Sequence, residues 1–345
     1  MVLAIVLVSV GLFAQASPFS EACDTHQFMG AVSVKFKGKT VFEAACGFAN
    51  AEWGVRNTVD TKFRTASIAK QFTAVAVLLL RQEGKVDLAA SIGSFVDDLP
   101  LEWRSATVHQ LLTHTSGIPS FTGGPIAQFD RMGATPRELL GIVKGKPLQF
   151  PHGTRLAYNN TGYVLLGMLI EKVSGVAYPD FVERRIFAPL QMKDSGFDNA
   201  RVVLPRRANG YKLTPSGLVN ADRVHSSVAW SAGGFYSTTR DLITWASALR
   251  GPGILLQESL DLMFRVYPET LLQGMHYGYA VVIAERAGTR LHYHGGGIGG
   301  FHATLQTYPD RDLIIAVMSN LDSDGTTIQS WTIADQLAAL YLSKR

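Results

Sequence analysis

Short apolar runs with strand spacing lie towards both ends of the chain, and apolar residues recur with helical spacing between them. Residues 29–36 and 40–47 flank Lys37-Gly38-Lys39, which reads as a β-hairpin. Residues 67–83 are apolar with a helical period and stop at Gly84, a suitable C-terminal cap. Thr107-Val108-His109-Gln110 carries the capping-box pattern and opens a short helix that stops before Gly117. Thr135-Pro136-Arg137-Glu138 carries it again, with proline at the first helical position. Residues 161–173 predict a third apolar helix ending near Gly175, and residues 202–227, weakly patterned, read as loops. Helices follow at 239–249 and 256–264. Residues 277–284, 290–294, 302–308 and 313–319 predict strands of one antiparallel sheet, and 329–342 an amphipathic C-terminal helix. Strands at both ends and helices in the middle, with no internal repeat, predict an α+β fold. Its sheet is completed by both termini and its helical region is inserted.

Composition narrows the function. Hydrophobic residues make up 47% and charged residues 17%, so the chain has ample material for a core and is not disordered. The net charge of +4 is spread rather than clustered, which argues against nucleic acid as a partner. Residues 2–14 are almost wholly apolar, and no charge occurs before Glu21. That run is short for a bilayer span, and Ala14-Gln15-Ala16 supplies the small-x-small pattern of a signal-peptidase site. Residues 1–16 therefore read as a secretory signal cleaved after Ala16, although it holds no Lys or Arg. The expected location is periplasmic or secreted, with no stable membrane span after cleavage. Export would put Cys23 and Cys46, the two cysteines, where a disulfide can form; both also suit small buried positions.

Several familiar chemistries are missing. The chain has no Gly-x-Ser-x-Gly, no phosphate-binding Gly-x-x-x-x-Gly-Lys-Ser/Thr and no His-Glu-x-x-His. Gly295, Gly297 and Gly300 satisfy Gly-x-Gly-x-x-Gly, but strands rather than a helix are expected after them. His292-x-His294 lacks a third metal ligand at sensible spacing. Neither a metal nor a cofactor is expected.

Ser67-Ile68-Ala69-Lys70 is the one Ser-x-x-Lys in the chain, at the expected start of a long helix. Positions three apart share a helix face, so Lys70 can reach the Ser67 hydroxyl. Serine is a weak nucleophile without an adjacent base, and a desolvated lysine can lose its proton and serve as one. The bland alternative is a helix cap beside a solvent-facing lysine. Two further elements favour chemistry. Tyr158 and Asn160 precede a helix, where a tyrosine can act as base or proton shuttle and an asparagine can pair with a substrate amide. His294-Gly295-Gly296-Gly297 ends a strand, where glycines let a substrate lie along the edge and a backbone N–H can join an oxyanion hole. The alternatives are a core tyrosine, a capping asparagine and a glycine-rich turn.

Phe63-Arg-Thr-Ala-Ser67-Ile-Ala-Lys70-Gln-Phe-Thr73, Leu111-Leu-Thr-His-Thr-Ser-Gly117, Tyr158-x-Asn160, Ser231-Ala-Gly-Gly234 with Ser237-Thr-Thr-Arg-Asp241, and His294-Gly-Gly-Gly297 occur in that order. Together they resemble the serine β-lactamase-related family, on the side of class C β-lactamases, D-Ala-D-Ala carboxypeptidases and family VIII esterases. The resemblance covers about residues 25–342. It implies a five-stranded antiparallel sheet with flanking terminal helices, an all-helical region inserted over about residues 68–230, and a site between them, all within one hydrolase domain of residues 17–345. It also implies roles. Ser67 would be acylated, Lys70 and Tyr158 would share the base work, and Asn160 would hold the substrate amide. The N–H groups of Ser67 and Gly297 would form the oxyanion hole, with Gly295 and Gly296 beside the substrate. His114 would belong to the scaffold.

Class C β-lactamases mostly carry Lys-Thr-Gly where this chain has His294. Among relatives, His-x-Gly recurs in D-Ala-D-Ala peptidases, D-aminopeptidases and esterase-like proteins. A histidine is cationic part of the time near neutral pH and would hold a substrate carboxylate less firmly than lysine. The expected protein is an exported serine acyl-hydrolase acting on a small ester, amide or D-amino-acid peptide. A β-lactamase and a penicillin-binding sensor that is acylated with little turnover are the alternatives.

Overall fold

The structure, a computed structural model, describes residues 17–124, 132–271, 273–323 and 327–343. The expected signal segment, residues 1–16, lies outside them. The main sheet is built from β1 Gly30–Phe36, β2 Lys39–Cys46, β3 His276–Tyr277, β4 Val282–Arg286, β5 Thr289–Ile298, β6 Phe301–Tyr308 and β7 Leu313–Ser319. The helices that cover this sheet or carry the site are α1 Ser17–Asp24, α2 Ala69–Gln82, α3 Val108–Leu112, α4 Asn160–Ser174, α5 Ser226–Gly233, α6 Thr239–Ala248 and α7 Ser330–Leu342.

The strands form one antiparallel sheet in the order β3-β4-β5-β6-β7-β1-β2. The N-terminal hairpin joins it through β1 and β7, from Gly30 opposite Ser319 to Phe36 opposite Leu313. The side chains of β7 then divide by pleat. Ile314, Ala316 and Met318 enter the core shared with the helical region, while Leu313, Ile315 and Val317 enter a second core under α1 and α7. Phe19 and Ala22 of α1 and Ile333, Leu337 and Tyr341 of α7 close that second core. A sheet covered on both faces explains why the central strand is a continuous apolar run. A disulfide between Cys23 and Cys46 fastens α1 to β2, which decides between the two readings of these cysteines in favour of pairing. Closing that loop contributes about 3 kcal/mol on the chain-entropy account.

The sheet has seven strands among the described residues, not the five expected. The run read as one strand over 277–284 is interrupted. Gly278 N–H donates to the Val281 carbonyl at 2.8 Å, and Ala280 takes a left-handed φ of +57°. Tyr279, Ala280 and Val281 are buried in this turn, so their apolarity reports burial rather than strand pairing. The weakly patterned stretch at 202–227 also holds structure. Tyr211–Thr214 and Gly217–Asn220 form a hairpin that pairs with Leu321–Ser323. Leu218 and Val219 are exposed there, so no buried face marks the pattern.

The helical region is built around α2, whose residues 69–80 are all buried. A helix apolar on every side belongs inside, and α2 packs against α4 and α5. Asn159 caps α4 by accepting the Gly162 N–H at 2.8 Å, and Gly175 ends it at φ +69°. Both capping boxes are formed as read, at Thr107 with Gln110 and at Thr135 with Glu138. These caps fix where the chain enters and leaves the segments that carry the site.

Candidate active site

Ser67 sits in a single 3₁₀ turn, Ala66–Ile68, that feeds directly into α2. Ala66 has φ +45°, a left-handed backbone that a residue with a Cβ adopts at a cost, as tight functional turns do. The glycine-rich end of β5 lies against this turn. A Cβ on Gly296 would stand 2.6 Å from Ser67 N and 2.7 Å from the Thr65 carbonyl, so the strand approaches this closely because the residue is glycine. The run Gly295–Gly297 is therefore strand, opposite Thr304, Ala303 and His302 of β6, and the turn comes later at Gly299-Gly300. On its other side β5 pairs with β4 as far as Tyr293 and no further, which leaves an open edge beside Ser67.

Lys70 is wholly buried one turn along. Its Nζ lies 3.1 Å from Ser67 Oγ and donates to the Ala232 carbonyl at 2.8 Å. No carboxylate pairs with it among the described residues. Burial without a counter-ion holds its pKa well below the ordinary lysine value. An uncharged amine keeps a lone pair, so it can take the Ser67 proton. The Ala232 carbonyl is held in turn by α5. Trp230 bends that helix with φ +33°, and the Ser231 carbonyl accepts from Thr73 Oγ1 at 2.6 Å.

Tyr158 leads into α4, with its hydroxyl close enough to the Ser67 side chain for that serine to act on its ionisation. The residue is 45% exposed, yet protein packs around it densely enough to disfavour an ionised phenol. Burial raises its pKa, Ser67 opposing, so Tyr158 is a neutral phenol. Its ring stands 4.8 Å from Lys70 Nζ and 4.3 Å from the His114 ring. His114 is buried at φ +59°, and its Nδ1 accepts the Asn159 N–H at 3.1 Å. It thereby ties the Leu111–Gly117 segment to the segment that carries Tyr158, as a scaffold residue would.

His294 is buried too. Nε2 is 2.8 Å from the Tyr277 hydroxyl and Nδ1 is 2.6 Å from the Gly295 carbonyl. Burial, with Lys70 adding to it, lowers its pKa to about 3. It is neutral at physiological pH, which corrects the expectation of a partly cationic stand-in for lysine. Its partner His292 stacks on Phe264, 4.5 Å between rings, and turns to a different cavity.

Ser67, Asn160, Gly297 and Thr122 line one pocket of about 230 Å3 with Phe121, Val228 and Ala232. Asn160 is the first residue of α4, and its Nδ2 donates to Thr122 Oγ1 at 3.3 Å. A larger cavity of about 580 Å3, bounded by Arg250, Phe264 and His292, contains none of Ser67, Lys70 or Tyr158. The structure thus brings Ser67, Lys70, Tyr158, Asn160 and Gly295–Gly297 together. It sets His294 beside them through Tyr277.

A family profile described as Beta-lactamase matches residues 20–340. The chain belongs to the beta-lactamase family. This family member is 27% identical over 325 residues to penicillin-binding protein 4* of Bacillus subtilis (strain 168), covering 89% of this chain and 71% of that one. It is 25% identical to protein flp of Staphylococcus aureus (strain MW2), covering 83% of this chain and 58% of that one. Among solved structures it resembles a D-amino acid amidase from Ochrobactrum anthropi SV3, with a TM-score of 0.85 at 26% identity, over 96% of this chain and 100% of that one. It also resembles the octameric penicillin-binding protein homologue from Pyrococcus abyssi, with a TM-score of 0.83 at 30% identity, over 96% of this chain and 77% of that one. The fold is β-lactamase/transpeptidase-like, and the chain is a serine hydrolase of the acyl-enzyme kind.

Sequence reasoning missed the Ala232 carbonyl and Tyr277. The first left a trace in the Ser231-Ala-Gly-Gly234 run, to which no role was attached. Tyr277 left none, because a tyrosine opening an apolar run reads as core.

Proposed function

We propose that Ser67 is the nucleophile of an exported hydrolase that cleaves a small ester, amide or D-amino-acid peptide bond. The observation that carries this is the 3.1 Å approach of a buried, carboxylate-free Lys70 amine to the Ser67 hydroxyl. Lys70 takes the proton as Ser67 Oγ attacks the substrate carbonyl. Tyr158, a neutral phenol beside the same serine, relays that proton to the leaving group. The N–H groups of Ser67 and Gly297 face the developing oxyanion, and Asn160 holds the substrate amide. Water then enters where the leaving group stood and releases the acid.

The neutral His294 favours this reading over a β-lactamase. A site whose third motif carries no cation gives a β-lactam carboxylate little to hold. The amidase likeness points the same way, since D-amino acid amides carry no carboxylate at the scissile end. Export is supported by the apolar run before Ala14-Gln15-Ala16 and by the Cys23–Cys46 disulfide.

The deciding measurement is turnover of p-nitrophenyl esters of short acids, D-amino acid amides, a D-Ala-D-Ala peptide and nitrocefin, with intact-mass analysis. Wild type should hydrolyse an ester or amide and carry the acyl group on Ser67, and Ser67→Ala should do neither. Labelling that persists in Ser67→Ala would remove the assignment. One equivalent of product followed by silence would indicate the sensor instead.

A further inference from the structure

A second cavity of about 450 Å3 adjoins the pocket beside Ser67, and Val224 and Gly299 line both. The lining changes character across that boundary. On the Ser67 side it is mostly apolar, with Phe121, Val228 and Ile298. On the far side Lys62, Arg64, Arg207 and Arg223 face two carboxylates, Asp198 and Asp222.

The pairing within the cavity leaves charge over. Asp198 is shared between Arg64 Nε and Arg207 Nε, each at 3.2 Å. Lys62 turns to Asp194 at 3.1 Å, which also binds Arg206 at 2.8 Å. Arg223 is exposed and has no ion pair among the described residues. The excess is felt by its neighbours. Burial first, then Arg223, Arg64 and Arg201, hold His225 below the ordinary histidine value. Arg64 is lowered by burial and, against the pull of Asp198, by Arg223 and Arg207.

The boundary itself is built. Arg64 donates to the Val224 carbonyl at 2.8 Å and to Ser226 Oγ at 3.0 Å, which fixes Val224 from the cationic side. A Cβ on Gly299 would stand 2.6 Å from the Asp222 carbonyl, so the β5–β6 turn closes directly on this segment. Glycine keeps the sill between the two spaces low.

We propose that this cavity is an anion subsite, which receives a carboxylate at the far end of the acyl group whose near end is attached to Ser67. The acyl group is the part concerned because it stays on Ser67 Oγ after the leaving group departs. The matching substrate has a scissile carbonyl, a short apolar stretch and a terminal carboxylate: a dicarboxylic half-ester or half-amide, or a peptide whose acyl residue has an acidic side chain. Arginine suits this task, because its planar fork meets a carboxylate with two parallel N–H donors. With His294 neutral, recognition of substrate charge falls to this side of the cleft. The inference rests on Ser67 being the nucleophile.

The test compares mono-p-nitrophenyl esters of adipate, pimelate and suberate with p-nitrophenyl hexanoate, heptanoate and octanoate, in wild type, Arg223→Gln and Arg223→Lys. At low salt the best half-ester should exceed its neutral match about tenfold in kcat/KM, the size of effect a charge-assisted hydrogen bond gives at an open site. Salt should erode that preference without touching the neutral esters. Arg223→Gln should bring the ratio near one by loss on the half-ester alone, and Arg223→Lys should keep part of it. A wild-type ratio near one, or equal loss on both esters in Arg223→Gln, overturns the subsite. Loss of neutral-ester hydrolysis in Ser67→Ala tests the nucleophile separately. If wild type cleaves neither ester, calorimetry of adipate monoamide against hexanamide on Ser67→Ala still reads the subsite, and equal binding overturns it.

Discussion

The Tyr277 hydroxyl and His294 Nε2 stand 2.8 Å apart, at the end of the glycine-rich strand that faces Ser67. The other ring nitrogen, Nδ1, faces the Gly295 carbonyl, which can accept and not donate. We therefore place the single proton on Nδ1 and let Nε2 accept from Tyr277. Both nitrogens are satisfied without a second proton, in a site where burial already opposes one.

The first expected outcome follows from that neutrality. With a pKa near 3, His294 does not titrate between about pH 6 and 8, where a free imidazole would. The kcat/KM profiles of one anionic and one neutral substrate should therefore run parallel over that range. A fall near pH 6.5 for the anionic substrate alone, abolished in His294→Asn, would show that the imidazole does read substrate charge.

Acid should weaken the fold through the same groups. In the unfolded chain His294 and His114 bind protons below about pH 6.5, while in the folded chain both pKa values lie lower. The unfolded state then holds more protons, so stability falls as pH drops below that point. Each imidazole removes about 1.4 kcal/mol per pH unit. Urea unfolding at pH 7 and pH 5 measures this, ahead of the range where most carboxylates titrate. Equal stability at both would contradict the burial argument.

Lys70 and Tyr158 converge on one serine, so their loss should not add. Lys70→Ala and Tyr158→Phe should each lower turnover by about 10³-fold or more, and the double variant should be little worse than the worse single one. Additive losses in log turnover would assign the two residues to separate steps. Lys70→Met carries a second signature. It replaces an amine that must be desolvated without a counter-ion, so the inactive variant should melt at a higher temperature than wild type.

Adjacent glycines should behave differently. A Cβ on Gly296 meets backbone atoms of Ser67 and Thr65 inside 3 Å, whereas on Gly295 its nearest neighbour is the Ala303 carbonyl at 3.7 Å. Gly296→Ala should cost about 10²-fold or more in kcat by displacing the nucleophile turn, while Gly295→Ala stays within a few-fold of wild type. Comparable kcat values for the two variants would mean that the strand does not set the position of Ser67.

What the sequence made legible was local. Helix boundaries came through where caps are written in residue type, as in the side chains of Thr107 and Thr135 and the left-handed backbone of Gly175. The Ser67–Lys70 pair was readable because three residues along a helix is a fixed distance. The glycines 295–297 were ambiguous, since close packing and turn formation both call for glycine, and only the neighbour across the gap distinguishes them. The protonation of His294 could not be read at all. It depends on burial and on Tyr277, which lies 17 residues away and on a different strand. The anion cavity was equally hidden, because residues 62–64, 207 and 222–225 are basic only in part and meet only on folding.

The pairing of β1 with β7 has a consequence for how the molecule is made. Gly30 and Ser319 lie side by side in the sheet, yet nearly the whole chain separates them. A growing chain that has reached residue 308 carries Ser67, Lys70, Tyr158 and His294, but β7 is missing between β6 and the N-terminal hairpin. Loop closure on that scale is slow, so completion of the sheet comes late and cannot precede synthesis of the last strand. A polypeptide with this wiring emerges from the ribosome without a finished site, and remains threadable until its C-terminal strand and helix arrive.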